Sequence, residues 1–323
     1  MIVSLKEPSY FAIIQTVGID LSIIILTFNS REITLKTLKS FYDAIEADKD
    51  YSYEVIAVDN ASTDDVADAV AASFPKVKLI RNSENLGFAK GNNIGFRESQ
   101  GKYILFSNPD IEINEKTLPT LIKLMDGHPE VGACTPKLVL VRTGEIDWGA
   151  HRGFPTPWAA MTYFTGLAKL CRHSRKLSKI FGQYHLRDQD LNHEHEVDAI
   201  RGGFFFVRRD IFEKCDRWDE DYFMYGEDLD LSYQIKKQGL KIMYYPQSEA
   251  MHYHGLTTGL KKHSEDLSPE SLRVRRQTYN YFYDTMKIFY DKNYKNKYPA
   301  LVRRLIFSAI DFRKNRGAQK LNV

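Results

Sequence analysis

Cysteine is scarce in this chain. Cys134, Cys171 and Cys215 are the only three in 323 residues, far apart and without a C-x-x-C. Their spacing excludes a disulfide framework and a cysteine zinc site, and it fits a reduced, cytoplasmic protein. Long hydrophobic runs are missing too. None approaches the ~18–20 apolar residues of a spanning helix, so membrane contact is expected only from the surface. The opening stretch, MIVSLKEPSYFAIIQTVGID, lacks the basic segment and long apolar core of a signal peptide. Neither charge sign dominates: the net charge of +3 is too small for a general pull toward nucleic acid. Two glycine patterns are also absent, G-x-G-x-x-G and G-x-x-x-x-G-K-[ST], which disfavours a dinucleotide fingerprint and a P-loop.

What is present is globular: 43% hydrophobic and 27% charged residues, enough chain for one large domain or two ordinary ones. Leu21 to Thr27, LSIIILT, is a continuous apolar run of strand length, as expected for a strand buried on both faces. Helical spacing follows over Glu32 to Glu46, then a strand over Glu54 to Val58 that ends in Asp59. A helix over Asp64 to Phe74, a strand over Val77 to Ile80, a helix over Phe88 to Ser99 and a strand over Tyr103 to Phe106 continue the alternation. This order predicts an α/β fold with a mostly parallel sheet, whose ligands sit beyond the carboxyl ends of the strands. Thr27, Asp59 and Asp110 lie at or just past those ends. From about Gly144 to Glu196 the periodicity is weak, as in an elaboration over a site. Gly226 to Gln238 reads as a helix, and LKIMYYPQSEAMHYHG as two short strands.

Four stretches can carry chemistry. In ILFSNPDIEI, Pro109 forces Asn108 into an extended conformation and leaves Asp110 at a strand exit, where a carboxylate suits a hard divalent cation or a plain Asx turn. In VIAVDNASTD, Ser62 or Thr63 fits a helix cap, which leaves Asp59 as a ligand contact. NLGFAKGNNIG puts Gly87, Gly91 and Gly95 on one helix face, costing roughly 1 kcal/mol each against alanine. Close approach to a phosphate or to another element would explain them, with Asn85, Asn92 and Asn93 as the polar contacts. In YFMYGEDLDLS, Glu227, Asp228 and Asp230 open a helix in an apolar setting, where a carboxylate can serve as a general base or simply complement the helix dipole. His252 and His254 share one strand face; His193 and His195 take no role.

In this order, with SIIILTFNS, GGFFFVRRDIF and MHYHG, the motifs resemble an inverting family-2 glycosyltransferase of the GT-A fold. More narrowly, they are similar to bacterial rhamnosyltransferases that use dTDP-L-rhamnose. The resemblance spans about Leu21 to Gly255. It implies a Rossmann-like, mostly parallel sheet flanked by helices in residues 21–265, after an extension over 1–20. The nucleotide-binding half would reach about residue 140 and the acceptor side would follow. It further implies Thr27 and Asn29 lining the nucleotide pocket, Asp59 on the base, and Asn85 and Asn93 near the diphosphate-sugar. Asn108 and Asp110 occupy the place of a D-x-D metal motif with Asn for the first Asp. Asp110 and His252 would hold Mn²⁺ or Mg²⁺, with His254 a weaker ligand. Asp228 would be the catalytic base and Glu227 an acceptor-side residue. The implied partners are a dTDP- or UDP-linked sugar and a glycan or lipid-linked acceptor.

Residues 266–323 read as basic, aromatic helices. From Glu270 onward there are 13 Lys/Arg and 4 Asp/Glu, while the first 269 residues carry a net −6. Such a segment suits the inner face of an anionic membrane, or an oligomer interface such as a homodimer's. Competing readings are a sugar-phosphate nucleotidyltransferase, which would carry a Gly-rich basic loop where Thr27-Phe28-Asn29 stands, a glycoside hydrolase, and a non-catalytic glycan-binding protein.

Overall fold

The computed structural model describes residues 18–253 and 272–320. His254 and most of the 1–20 extension lie outside them. Among the described residues one sheet contains nine strands: β1 (Leu21–Thr27), β2 (Tyr53–Asp59), β3 (Lys78–Arg81), β4 (Tyr103–Ser107), β5 (Ile111–Ile113), β6 (Val131–Leu140), β7 (His195–Val197), β8 (Phe204–Arg208) and β9 (Lys241–His252). Their order is β3-β2-β1-β4-β8-β6-β9-β5, with β7 beside β9. β3, β2, β1 and β4 run parallel, while β8 is antiparallel to both its neighbours. The helices are α1 (Arg31–Ala47), α2 (Val66–Ser73), α3 (Gly87–Arg97), α4 (Thr117–Gly127), α5 (Pro157–Thr165), α6 (Leu167–Leu170), α7 (Arg175–Phe181), α8 (Arg209–Lys214), α9 (Glu227–Lys237), α10 (Leu272–Asn293) and α11 (Ala300–Lys320).

The apolar run of β1 is buried on both faces, so alternate residues feed two cores. Ile23 and Ile25 pack with Leu38 and Phe41 of α1, Val70 of α2 and Leu121 of α4. Ile24 packs on the other face with Phe96 of α3, Phe212 of α8 and Leu231 of α9. Each such fully buried side chain contributes about 1.5–3 kcal/mol, which fixes the sheet as a rigid platform. Gly91 and Gly95 of α3 serve this packing, while Gly87, with φ of 79°, lies against Phe223. A Cβ at Gly91 would lie 2.6 Å from Leu26, and one at Gly95 2.6 Å from Ile24 and 3.0 Å from Val58. The aromatic C-terminal segment packs as well: Phe289, Tyr290 and Tyr294 of α10 meet Tyr222 and Tyr233 beside and on α9. No helix among the described residues is long and apolar enough to cross a membrane.

Two local expectations change. KIMYYPQSEAMH forms one strand, because Pro246 falls in the irregular stretch between the pairs Pro136↔Tyr245 and Lys137↔Glu249 and interrupts no regular ladder. The helix after Asp59 starts only at Val66, with Asp65 left-handed at its cap and no side-chain capping bond. The Ser62 hydroxyl accepts from the Asn29 N–H instead (2.9 Å). The turn after Pro109 leads directly into the short strand β5.

If Gly91 and Gly95 serve the contact of α3 with the sheet, Gly95→Val should destabilise the fold by about 1–3 kcal/mol through overpacking. Chemical denaturation measures this, and an unchanged midpoint and slope would contradict the packing role.

Candidate active site

Parallel pairing brings the carboxyl ends of β1 to β4 to one rim, with Thr27 opposite Asp59. The Thr27 hydroxyl shares a buried network with Ser30 (3.0 Å) and Thr34 (2.8 Å). Asn29, with φ of 46°, accepts from the Thr63 N–H (2.8 Å), so the loops after β1 and β2 are tied together. Asp59 is 5% exposed and accepts from the Ser62 N–H. Asn60, which the sequence reading passed over, is the hub of the rim. Its amide donates to Asn85 (2.8 Å) and to the Gly87 carbonyl (3.1 Å), and its oxygen accepts from Asn82 and the Leu86 N–H. Asn85 itself remains exposed. Asn93 sits on the buried side of α3. Its amide nitrogen donates to the Trp218 carbonyl (2.8 Å) and to Glu220 (3.0 Å), and its oxygen accepts from the Trp218 N–H. That side chain latches α3 to the loop before α9 rather than standing on the rim.

A second cluster forms where β5, β6 and β9 align. Ile111 and Leu140 both pair with His252, and the chain folds back beyond β6 through an Asp147 N–H bond to the Leu138 carbonyl. Asp110, His252 and Asp147 converge as a result, all nearly inaccessible. His252 Nδ1 donates to Asp147 Oδ2 at 2.7 Å, and its Nε2 lies 3.5 Å from Asp110 Oδ1. Burial lowers the proton affinity of His252, but Asp110 and Asp147 outweigh it, so the imidazole binds a proton more tightly than an ordinary histidine. Asp147 also accepts from Arg201 (2.8 Å) and from the Gly149 N–H (2.9 Å). With Nδ1–H fixed on Asp147, the neutral ring directs its Nε2 lone pair toward Asp110. An imidazole fixed by an outer carboxylate beside a second carboxylate is a typical metal-ligand arrangement. The residues therefore fit a hard divalent ion that takes most of its other ligands from water and phosphate. Among the described residues no group of three or more His, Cys, Asp or Glu is arranged to hold a metal.

The third cluster is the N-terminus of α9. Asp228 Oδ2 accepts from Arg152 (2.7 Å) and from the Gly202 N–H (3.1 Å), while Oδ1 accepts from the Leu229 N–H (2.7 Å). A carboxylate offers about four acceptor positions, so one remains open. Glu227 is buried, its Oε2 has no hydrogen-bond partner, and burial together with the neighbouring Asp228 pushes its carboxyl up to about 8. Asp230 turns the other way and accepts from Asn293 of α10 (2.5 Å).

The segment Arg201-Gly202-Gly203 joins the clusters. Arg201 holds Asp147, the Gly202 N–H holds Asp228, and the Gly203 carbonyl accepts from the Asn108 N–H (2.8 Å). A Cβ at Gly203 would lie 2.9 Å from the Asn108 amide, and one at Gly202 3.0 Å from Phe88. Thr37 of α1 fixes the other side of the turn by donating to the Pro109 carbonyl (2.7 Å). Asp147, Arg152 and Arg201 were not read as site residues from the sequence. Only the glycine pair after Arg201 signalled a close approach.

The chain matches the model of "Glycosyl transferase family 2" over residues 22–215. It is 24% identical over 246 residues to the N-acetylglucosaminyl-diphospho-decaprenol L-rhamnosyltransferase of Mycobacterium tuberculosis, covering 69% of this chain and 73% of that protein. It is 26% identical over 223 residues to rhamnosyltransferase WbbL of Escherichia coli K12, covering 67% and 78%. Two solved structures share the architecture at 16% identity. GalNAc-T7 with UDP, GalNAc and Mn²⁺ has a TM-score of 0.54 and is matched over 84% of this chain and only 50% of its own. The mannosyltransferase PcManGT of Pyrobaculum calidifontis, in complex with GDP-Man and Mn²⁺, has a TM-score of 0.53 over 95% and 74%. The GT-A architecture is thus the one expected, a mostly parallel sheet between helical layers with a helical C-terminal region. With a match running from β1 through α8, the chain belongs to glycosyl transferase family 2.

Proposed function

We propose that the chain is a metal-dependent, inverting hexosyltransferase that moves L-rhamnose from dTDP-β-L-rhamnose to a hydroxyl of a lipid-linked cell-surface glycan. It would work in the cytoplasm at the inner face of the membrane. The observation that carries this reading is the unbroken contact chain from Asp110 through His252, Asp147 and Arg201 to the Gly202 N–H on Asp228. It joins a buried cation-binding corner to a buried carboxylate pair. The two rhamnosyltransferase relatives and the Asn-Pro-Asp turn favour rhamnose over a UDP-linked hexose.

In this reading residues 21–140 bind the donor and 141–265 the acceptor. Thr27, Asn29, Asp59 and Asn85 line the nucleotide end, while Asn108 and Asn93 support the turn and the helix beneath the sugar. Mn²⁺ or Mg²⁺ on Asp110 and His252 would neutralise charge on the departing diphosphate. Asp228, held by Arg152 and two backbone N–H groups, keeps an open acceptor position for the proton of the incoming hydroxyl. As that proton reaches Asp228, the acceptor oxygen bonds to the anomeric carbon, and the electron pair of the broken C–O bond leaves with the nucleoside diphosphate. Attack from the opposite face turns a β-linked donor into an α-linked product. Glu227 is protonated at neutral pH and donates to an acceptor oxygen. With Glu227 neutral, the two adjacent carboxyls divide the roles.

A panel of dTDP-, UDP- and GDP-sugars with Mn²⁺ or Mg²⁺, assayed for nucleoside diphosphate release, tests the donor. Asp228→Asn should cut transfer by about 10²–10⁴-fold while donor binding is retained. Turnover within a few fold of wild type would refute the base assignment.

The ionisation of Glu227 gives a separate prediction. Its folded-state value of about 8 exceeds the ordinary 4.5, so folding takes up a proton between these values. The stability it contributes is complete at about pH 4.5 and is lost as the pH rises through 8. Glu227→Gln should melt near the wild-type temperature at pH 5 and several degrees above it at pH 8.5. Parallel pH profiles for the two proteins would contradict a neutral Glu227.

A further inference from the structure

After β6 the chain leaves the sheet and returns to it at β7, and a Gly153 N–H bond to the Tyr184 carbonyl (3.0 Å) closes the neck of the excursion. The excursion carries α5, α6 and α7. Residues 157–181 contain five Lys/Arg and no Asp or Glu. Large apolar side chains face outward from it: Trp158 and Met161 one turn apart on α5, Leu170 at 80% exposure on α6, and Leu177 and Ile180 on α7. The Trp158 indole donates to the Ile180 carbonyl (2.8 Å) and its ring meets Phe181, so α5 and α7 lie side by side. Lys169, Arg175, Lys176 and Lys179 are exposed among these side chains. At the border, Arg313 of α11 lies over the Phe164 ring (4.6 Å) and bonds its carbonyl, while α11 exposes Leu305 and Phe312.

A monomeric soluble protein rarely leaves so much apolar surface uncovered. Aliphatic side chains set among cations, with no acid within residues 157–181, match a bilayer surface of anionic headgroups over acyl chains. We infer that residues 157–181, bordered by α11, form a docking surface for an anionic lipid bilayer. The neck beside this surface follows Arg152 directly, and Arg152 grips Asp228. Docking would therefore bring the carboxylate pair to the membrane plane, where the hydroxyl of a lipid-linked acceptor arrives. This consequence rests on the glycosyltransferase reading above; the binding does not.

Flotation of the full chain with phosphatidylcholine vesicles, with and without 30 mol% phosphatidylglycerol, tests the inference. The chain should bind the anionic vesicles at least tenfold more tightly than the neutral ones. Leu170→Ser/Leu177→Ser/Ile180→Ser and Lys169→Glu/Lys176→Glu/Lys179→Glu should each lower that binding at least tenfold, with melting temperature and donor binding kept. Leu305→Ser/Phe312→Ser on α11 should lower it less than threefold. Absence of binding to anionic vesicles, or binding that survives both excursion variants, would overturn the inference. So would an apolar variant that converts a vesicle-free dimer into a monomer, which would assign the face to a second copy of the chain. Failure of the glycosyltransferase reading shows separately, as no nucleoside diphosphate release by wild type in detergent with any donor.

Discussion

The site depends on one buried imidazole held between two buried carboxylates. His252 cannot satisfy Asp110 and Asp147 together without a cation, whether its own second proton or a metal. Three strands must be in register to create that demand, since β5, β6 and β9 each deliver one part of it. Negative charge so far from water is expensive unless it is compensated. A cation bound between them would add to the compensation that Arg201 already gives Asp147.

Arg201 carries this constraint to the second half of the site. One end of its segment neutralises Asp147, and the next residue gives its N–H to Asp228. The two glycines let the backbone pass between Phe88 and Asn108 at distances where a Cβ would collide. The Asp110–His252–Asp147 cluster and the carboxylate pair are thus tied to one short piece of backbone. Such a tie is what positioning a nucleophile against a leaving group demands. The excursion over residues 154–183 joins the same region beside Arg152, and it also touches α11 through Phe164 and α9 through Phe154.

Much of the sheet was legible because β1, β2 and β4 are continuous apolar runs, a signal that no local interaction overrides. Asp59 closes such a run and Asp110 follows one after the Asn108-Pro109 step, so both were legible as carboxylates at strand ends. Asp147 was not, because it lies in a stretch of weak periodicity and reaches the site only through long-range pairing of β6 with β9. Arg152 likewise meets Asp228 76 residues away. Asn93 reads as a polar residue on a helix, and nothing local reveals that its partner Trp218 lies 125 residues on. KIMYYPQSEAMH reads as two short strands, yet it forms one because the pairing absorbs Pro246 in an irregular stretch. The basic, aromatic C-terminus read as one surface, but its aromatics divide between a buried contact with α9 and an exposed edge.

The most direct test is anomalous diffraction from crystals grown with Mn²⁺ and dTDP or UDP. The account predicts one manganese peak within ~2.0–2.3 Å of an Asp110 carboxylate oxygen and of His252 Nε2, with the diphosphate completing its shell. A manganese–nucleotide complex seated away from both residues would contradict it.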